Sequence, residues 1–135
     1  MHASQLSIAL AAEHGKAAVI TVVGDLDLHT SDLFDDRIAA AVRPGVTDVV
    51  LEMSQVSFCD STGLSALIIL FRRLNAEGGH LSLAAPPDRL FRLLQMTGIH
   101  QLIPSHSTSQ AALQARGHLP PAETDLPPSD GPDRP

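Results

Sequence analysis

The chain of 135 residues has no Trp and no Tyr, and only four Phe. That leaves few aromatic faces on which bases or sugar rings could stack. Its one cysteine, Cys59, excludes an internal disulfide framework and any cysteine-based zinc site. Basic residues are scarce: nine Lys and Arg stand against fifteen Asp and Glu, a formal net charge of −6. A nucleic-acid binder would carry a basic surplus or stripe, so nucleic acid is not an expected partner. Long apolar runs are missing too. The longest mid-chain run, residues 66–71, is far short of the roughly 20 residues that a membrane span needs. Met1-His2-Ala3-Ser4-Gln5 has no basic start and no long apolar stretch, so no signal peptide is expected and a cytoplasmic protein is.

What is present is enough for a core, because 44 % of the residues are apolar. Arginine outnumbers lysine eight to one and alanine is abundant, the bias of a GC-rich bacterial genome. Charge and proline are unevenly placed. Residues 117–135 hold six of the ten prolines, with Glu123, Asp125, Asp130 and Asp133 against Arg134. That stretch carries −3 of the −6 and reads as a disordered, solubilising tail. The folded part is then residues 1–116, one domain.

Along that part, strand and helix signals alternate. Residues 6–10 read as a strand, Glu13-His14-Gly15-Lys16 as a turn, and the β-branched run 17–23 as an antiparallel partner. Thr30 or Ser31 can cap a helix that continues to about Val42 and stops at Pro44-Gly45. Residues 48–53 form a nearly continuous apolar strand. A second helix runs from about Thr62 to Asn75, with Leu64, Leu67, Ile68, Phe71 and Leu74 at helical spacing. Residues 80–84 are a fourth strand. Pro86-Pro87-Asp88 opens a third helix, with Leu90, Phe91, Leu93 and Leu94 on its apolar side. A short fifth strand is expected over 99–103 and a last helix over 107–116. The pattern predicts an α/β fold: a single mostly parallel sheet with an antiparallel N-terminal edge strand, helices alternating with strands.

Polar ligands of such folds bind beyond the carboxyl ends of the strands. Gly24-Asp25-Leu26-Asp27 and Cys59-Asp60-Ser61-Thr62-Gly63 both leave strands at that end. A hydroxyl at Ser61 would stand at a helix N-terminus, where free N–H groups and the helix dipole favour a phosphate. Helix grammar alone favours Ser61 or Thr62 as a plain N-cap, and Gly63 could merely allow tight packing of the first turn on the sheet. Asp25 and Asp27 could be a carboxylate pair, or simply turn formers.

Several catalytic chemistries fail on the letters. Cys59 has Ser65 where a cysteine phosphatase loop needs its Arg. No P-loop run exists, and no Gly-x-Ser-x-Gly elbow. A phospho-aspartate receiver could use Asp60, but it needs a late-strand lysine, and no lysine follows Lys16. None of the seven histidines forms an i, i+4 pair, so they read as surface or turn residues. No catalytic residue, metal site or cofactor is expected.

The residues do resemble a known family. Gly24-Asp25-Leu26-Asp27 is similar to the Gly-Glu/Asp-x-Asp turn of the STAS domain. Residues 49–64, ending in Asp60-Ser61-Thr62-Gly63-Leu64, resemble its signature strand and loop. Residues 90–99 resemble the segment before its last strand. Within the family the chain looks most like the bacterial anti-sigma factor antagonists. The resemblance implies that Ser61 is phosphorylated by a partner anti-sigma factor that is itself a serine/threonine kinase. The unphosphorylated form would bind that kinase and free a sigma factor, and a serine phosphatase would reset the switch. Asp25, Asp27, Asp60, Ser61, Thr62 and Gly63 would form the partner-binding site, with Asp27 and Asp60 flanking Ser61. The alternative implied by the same likeness is a non-switching STAS subunit of a transporter, lipid-trafficking or signalling scaffold complex.

Overall fold

The computed structural model describes residues 5–120. Five strands form one sheet in the order β1-β2-β3-β4-β5. Strand β1 (Leu6–His14) and β2 (Ala17–Leu26) pair antiparallel across the turn at Gly15-Lys16. Strands β3 (Asp48–Cys59), β4 (His80–Ala84) and β5 (Ser105–His106) continue in parallel. The single mixed sheet with an antiparallel N-terminal edge is the fold that the sequence pattern predicts.

The alternation of side chains decides which helices lie on which face. Ala18, Ile20, Val49, Leu51, Leu81 and Leu83 meet three helices in the main core. These are α1 (Phe34–Ala41), α2 (Ser61–Ala76) and α3 (Asp88–Met96). Helix α2 contributes Leu64, Leu67, Leu70 and Leu74, each buried and each contributing roughly 1.5–3 kcal/mol. The intervening residues Ala17, Val19, Val50 and Ala84 face the other way, where α4 (Ser109–Ala115) covers them with Ala112 and Leu113.

Four local expectations are corrected. Strand β3 runs to Cys59 instead of stopping at Met53, because Gln55, Val56, Phe58 and Cys59 keep pairing with β2 through two register shifts. Polar alternation at Ser54, Gln55 and Ser57 hid this half of the strand. Strand β2 likewise extends to Leu26. The first helix is preceded by a 3-10 turn, Ser31–Leu33, and the Thr30 hydroxyl does not cap it. The segment expected as a fifth strand over 99–103 is a 3-10 turn, Ile99–Gln101, and pairing begins only at Ser105. Ile99 and Ile103 are both buried while Leu102 is exposed. That four-residue spacing belongs to a helical turn.

At the start of β3, opposite the end that carries Ser61, the side chains after α4 are clasped. His118 Nε2 lies 2.6 Å from Asp48 Oδ2, and Arg116 Nε lies 3.3 Å from the same oxygen. Leu119 packs on the smaller core, and Gln114 Nε2 donates to the Pro120 carbonyl at 3.2 Å. The expected tail began at Gly117; His118, Leu119 and Pro120 have these contacts on the domain, and residues 121–135 lie outside the described residues.

Candidate functional site

The site is built from two chain segments that leave adjacent parallel strands. Leu26 pairs with Cys59 at the carboxyl ends of β2 and β3, and the Asp60 amide donates to the Leu26 carbonyl at 3.3 Å. Gly24 takes φ +110°, and a Cβ there would collide with the Gln5 carbonyl. Only glycine permits that approach, which lets the Asp25 amide donate to Gln5 O at 2.8 Å.

The turn that follows is braced from inside. Thr30 is buried. Its hydroxyl accepts from the Asp27 amide at 3.0 Å and donates to the Asp25 carbonyl at 2.9 Å. The Asp27 carboxylate accepts from the His29 amide at 2.9 Å, an Asx-type turn. Asp25 and Asp27 are themselves only 5 % and 7 % exposed. Both are therefore part of the scaffold of the turn, and their carboxylates offer a partner little surface.

Helix α2 begins against this turn. Its N-cap is Asp60, whose carboxylate accepts from the Gly63 amide at 3.0 Å. The expectation that Ser61 or Thr62 caps the helix is overturned: a capping side chain typically comes from a residue of extended backbone, and Asp60 is that residue. Ser61 is instead the first helical residue. It is exposed, and its hydroxyl makes no hydrogen bond among the described residues. Thr62 is half-buried. Gly63 serves packing, because a Cβ there would strike the Leu26 carbonyl and lie 2.9 Å from Cys59 Sγ.

Cys59 closes the floor. Burial, reinforced by the Asp60 and Asp27 carboxylates, pushes its thiol up to about 12. It stays protonated at neutral pH and acts as a small packing group rather than a nucleophile. The same relationship places the Asp27 and Asp60 carboxylates within electrostatic reach of one buried thiol. The structure thus brings Asp25, Asp27, Asp60, Ser61, Thr62 and Gly63 to one end of the sheet. Ser61 is the exposed member of that set.

Beyond Asp60 the surface dips into a shallow groove between the end of β3 and α3. Phe58, Asp60, Arg89, Arg92, Leu93 and Met96 line it. Phe58 is 44 % and Met96 80 % exposed. The sequence pattern missed this groove, since its two walls are 29 residues or more apart in the chain. It also missed the inward role of Thr30. Among the described residues no group of three or more His, Cys, Asp or Glu could hold a metal ion. No helix among them is long and apolar enough to cross a membrane.

A mostly parallel sheet edged by one antiparallel strand, with a helix starting at Asp60-Ser61-Thr62-Gly63-Leu64 beside the Gly24-Asp25-Leu26-Asp27 turn, defines an α/β domain of the STAS type. The chain belongs to the STAS domain family, whose model matches residues 9–112. Two curated relatives share this core. An anti-sigma F factor antagonist of Paenibacillus polymyxa is 28 % identical over 101 residues, covering 74 % of this chain and 86 % of that protein. An anti-sigma-B factor antagonist of Bacillus subtilis (strain 168) is 26 % identical over 95 residues, covering 70 % and 86 %. Among solved structures, an anti-sigma factor antagonist from Mycobacterium paratuberculosis superposes with a TM-score of 0.71 at 26 % identity. It covers 82 % of this chain and 93 % of its own.

Proposed function

We propose that this protein is an anti-sigma factor antagonist switched by phosphorylation of Ser61. The unphosphorylated form binds an anti-sigma factor that is a serine/threonine kinase, and the sigma factor held by that kinase is released. The observation that carries the reading is the exposed Ser61 hydroxyl on the first turn of α2. Asp60 does the capping, so Ser61 is left for chemistry. The antagonist names of the two curated relatives support it.

In the reaction, the Ser61 oxygen attacks the γ-phosphorus of ATP, ADP leaves, and the hydroxyl proton passes to a base of the kinase. The phosphate adds about −1.5 to −2 charges. The helix terminus compensates by about 0.3–1 kcal/mol in so exposed a place. The carboxylates of Asp27 and of the adjacent Asp60 oppose it. The fold therefore survives, while a surface docked over Ser61 meets new bulk and like charge. A serine phosphatase returns the protein to its binding form by transferring the phosphoryl group to water. The protein itself acts as a binding module in the cytoplasm and contributes no catalytic group.

The test is incubation with each anti-sigma factor kinase of the same genome and ATP, followed by mass spectrometry of the Ser61 peptide. One phosphate on Ser61 is expected. Phosphate on Thr62, or on no residue with any of the kinases, overturns the reading.

A further inference from the structure

We infer that the groove beside Ser61, flanked by Arg89 and Arg92, is a second docking point for the kinase partner and takes an acidic segment of it that carries an apolar side chain. This rests on the reading that such a kinase acts at Ser61. Three observations carry it.

The first is uncompensated charge. Arg89 and Arg92 stand three residues apart on α3, are exposed, and line one groove. Residues at that spacing share a helix face, where like charges repel. Arg43, Arg73 and Arg116 each have a carboxylate within 3.3 Å. Arg89 and Arg92 make no ion pair among the described residues. Two free guanidinium groups side by side suit carboxylates, which they can bind bidentately.

The second is the apolar floor. Phe58 and Met96 are large and exposed, and Leu93 lies half-buried between them and the core. A flexible methionine beside an aromatic ring adapts to an inserted side chain. The groove is open and shallow, so it cannot enclose a small molecule as a ligand pocket does. A peptide segment laid across it fits better.

The third is continuity. Asp60 lines the groove and is also the cap that holds Ser61 in place. Whatever covers Ser61 adjoins the groove without a gap. The face around Ser61 then has two signs: Asp60 on one side, and Arg89 with Arg92 across the groove. Such a pattern sets the orientation of a partner and speeds its association.

The experiment measures phosphorylation kinetics of Ser61 by the purified kinase, with wild-type protein, the double variant Arg89→Glu/Arg92→Glu, and Met96→Asp. All three positions are exposed, and circular dichroism with thermal melting checks that each variant is folded. In the double variant KM should rise about tenfold or more, with kcat changed less than twofold. The wild-type association rate should fall with added salt, and that of the double variant should not. Met96→Asp should raise KM as well. A double variant with wild-type KM overturns the inference while leaving Ser61 as the acceptor. Loss of self-association in place of kinase affinity also overturns it and makes a second copy of this chain the occupant. If no kinase phosphorylates wild-type Ser61, the functional reading itself fails, and this inference with it.

Discussion

The Gly63 amide donates to the Asp60 carboxylate at 3.0 Å, and the two residues between them, Ser61 and Thr62, are thereby freed from capping. Ser61→Ala should leave stability within about 0.5 kcal/mol of wild type, as for other exposed positions. Asp60→Ala should cost about 1 kcal/mol, the usual loss of a helix cap. Asp60→Asn should keep most of it. Urea unfolding of the three variants checks the order.

The binding consequences of the same geometry are sharper. Ser61→Ala should hold the kinase partner at wild-type affinity even after incubation with ATP. Ser61→Asp should bind at least about tenfold more weakly, which needs only about 1.4 kcal/mol of repulsion and bulk. Calorimetric titration reads both, and equal affinities would remove the switch from Ser61.

Gly63→Ala places a methyl group against the Leu26 carbonyl and Cys59 Sγ. Neither neighbour is the loose end of a flexible side chain, so α2 must lift from the sheet. A loss of about 1–3 kcal/mol is expected, the ordinary cost of overpacking. Thermal melting measures it, and kinase binding should fall in parallel because the Ser61 turn moves with the helix.

Thr30→Val removes a hydroxyl that serves both Asp25 and Asp27. Two buried backbone groups lose a partner, at a cost of about 1–3 kcal/mol each before relaxation. Thr30→Ser should recover most of that. The amide exchange rate of Asp27, followed by NMR, should rise in the valine variant and not in the serine variant.

Stability should fall toward acid in two steps. Burial holds the His80 imidazole below its ordinary value of 6.5, and Arg116 adds to the effect. The unfolded chain therefore takes up that proton first, and stability declines as pH falls through 6.5. Burial would raise Asp48, but hydrogen bonds from His118 and Arg116 outweigh it and hold the carboxyl below 3.8. Its contribution is present above 3.8 and is lost as pH falls through the lower folded value. His80→Gln should flatten the upper step and Asp48→Asn the lower one, both read from urea midpoints across pH.

The sheet was legible where side chains repeat with a clear period. Residues 17–23 and 80–84 announce strands, and Leu64, Leu67 and Leu74 announce α2. The period failed where pairing replaced pattern, as along Ser54–Phe58, whose backbone is held by β2. It also failed at Ile99 and Ile103, where a short apolar run fits a strand or a helical turn equally well. The Asp-Ser-Thr-Gly-Leu loop was visible as letters. The division of labour within it was not, because Asp, Ser and Thr are all good caps and only backbone angles choose among them. Asp48 with His118, like Phe58 with Arg89 and Met96, is a meeting of distant positions that no local pattern encodes.

The clasp of His118 on Asp48 has a practical meaning. Asp48 opens β3 and Cys59 closes it, eleven residues later. At about 3.3 Å per residue, the contact of His118 with Asp48 lies roughly 35 Å from Ser61. A fluorophore or a surface tether attached at Pro120, whose carbonyl accepts from Gln114, would stand at the pole of the sheet where β3 begins. Anchored there, the protein would turn the exposed Ser61 and the adjoining groove away from the support.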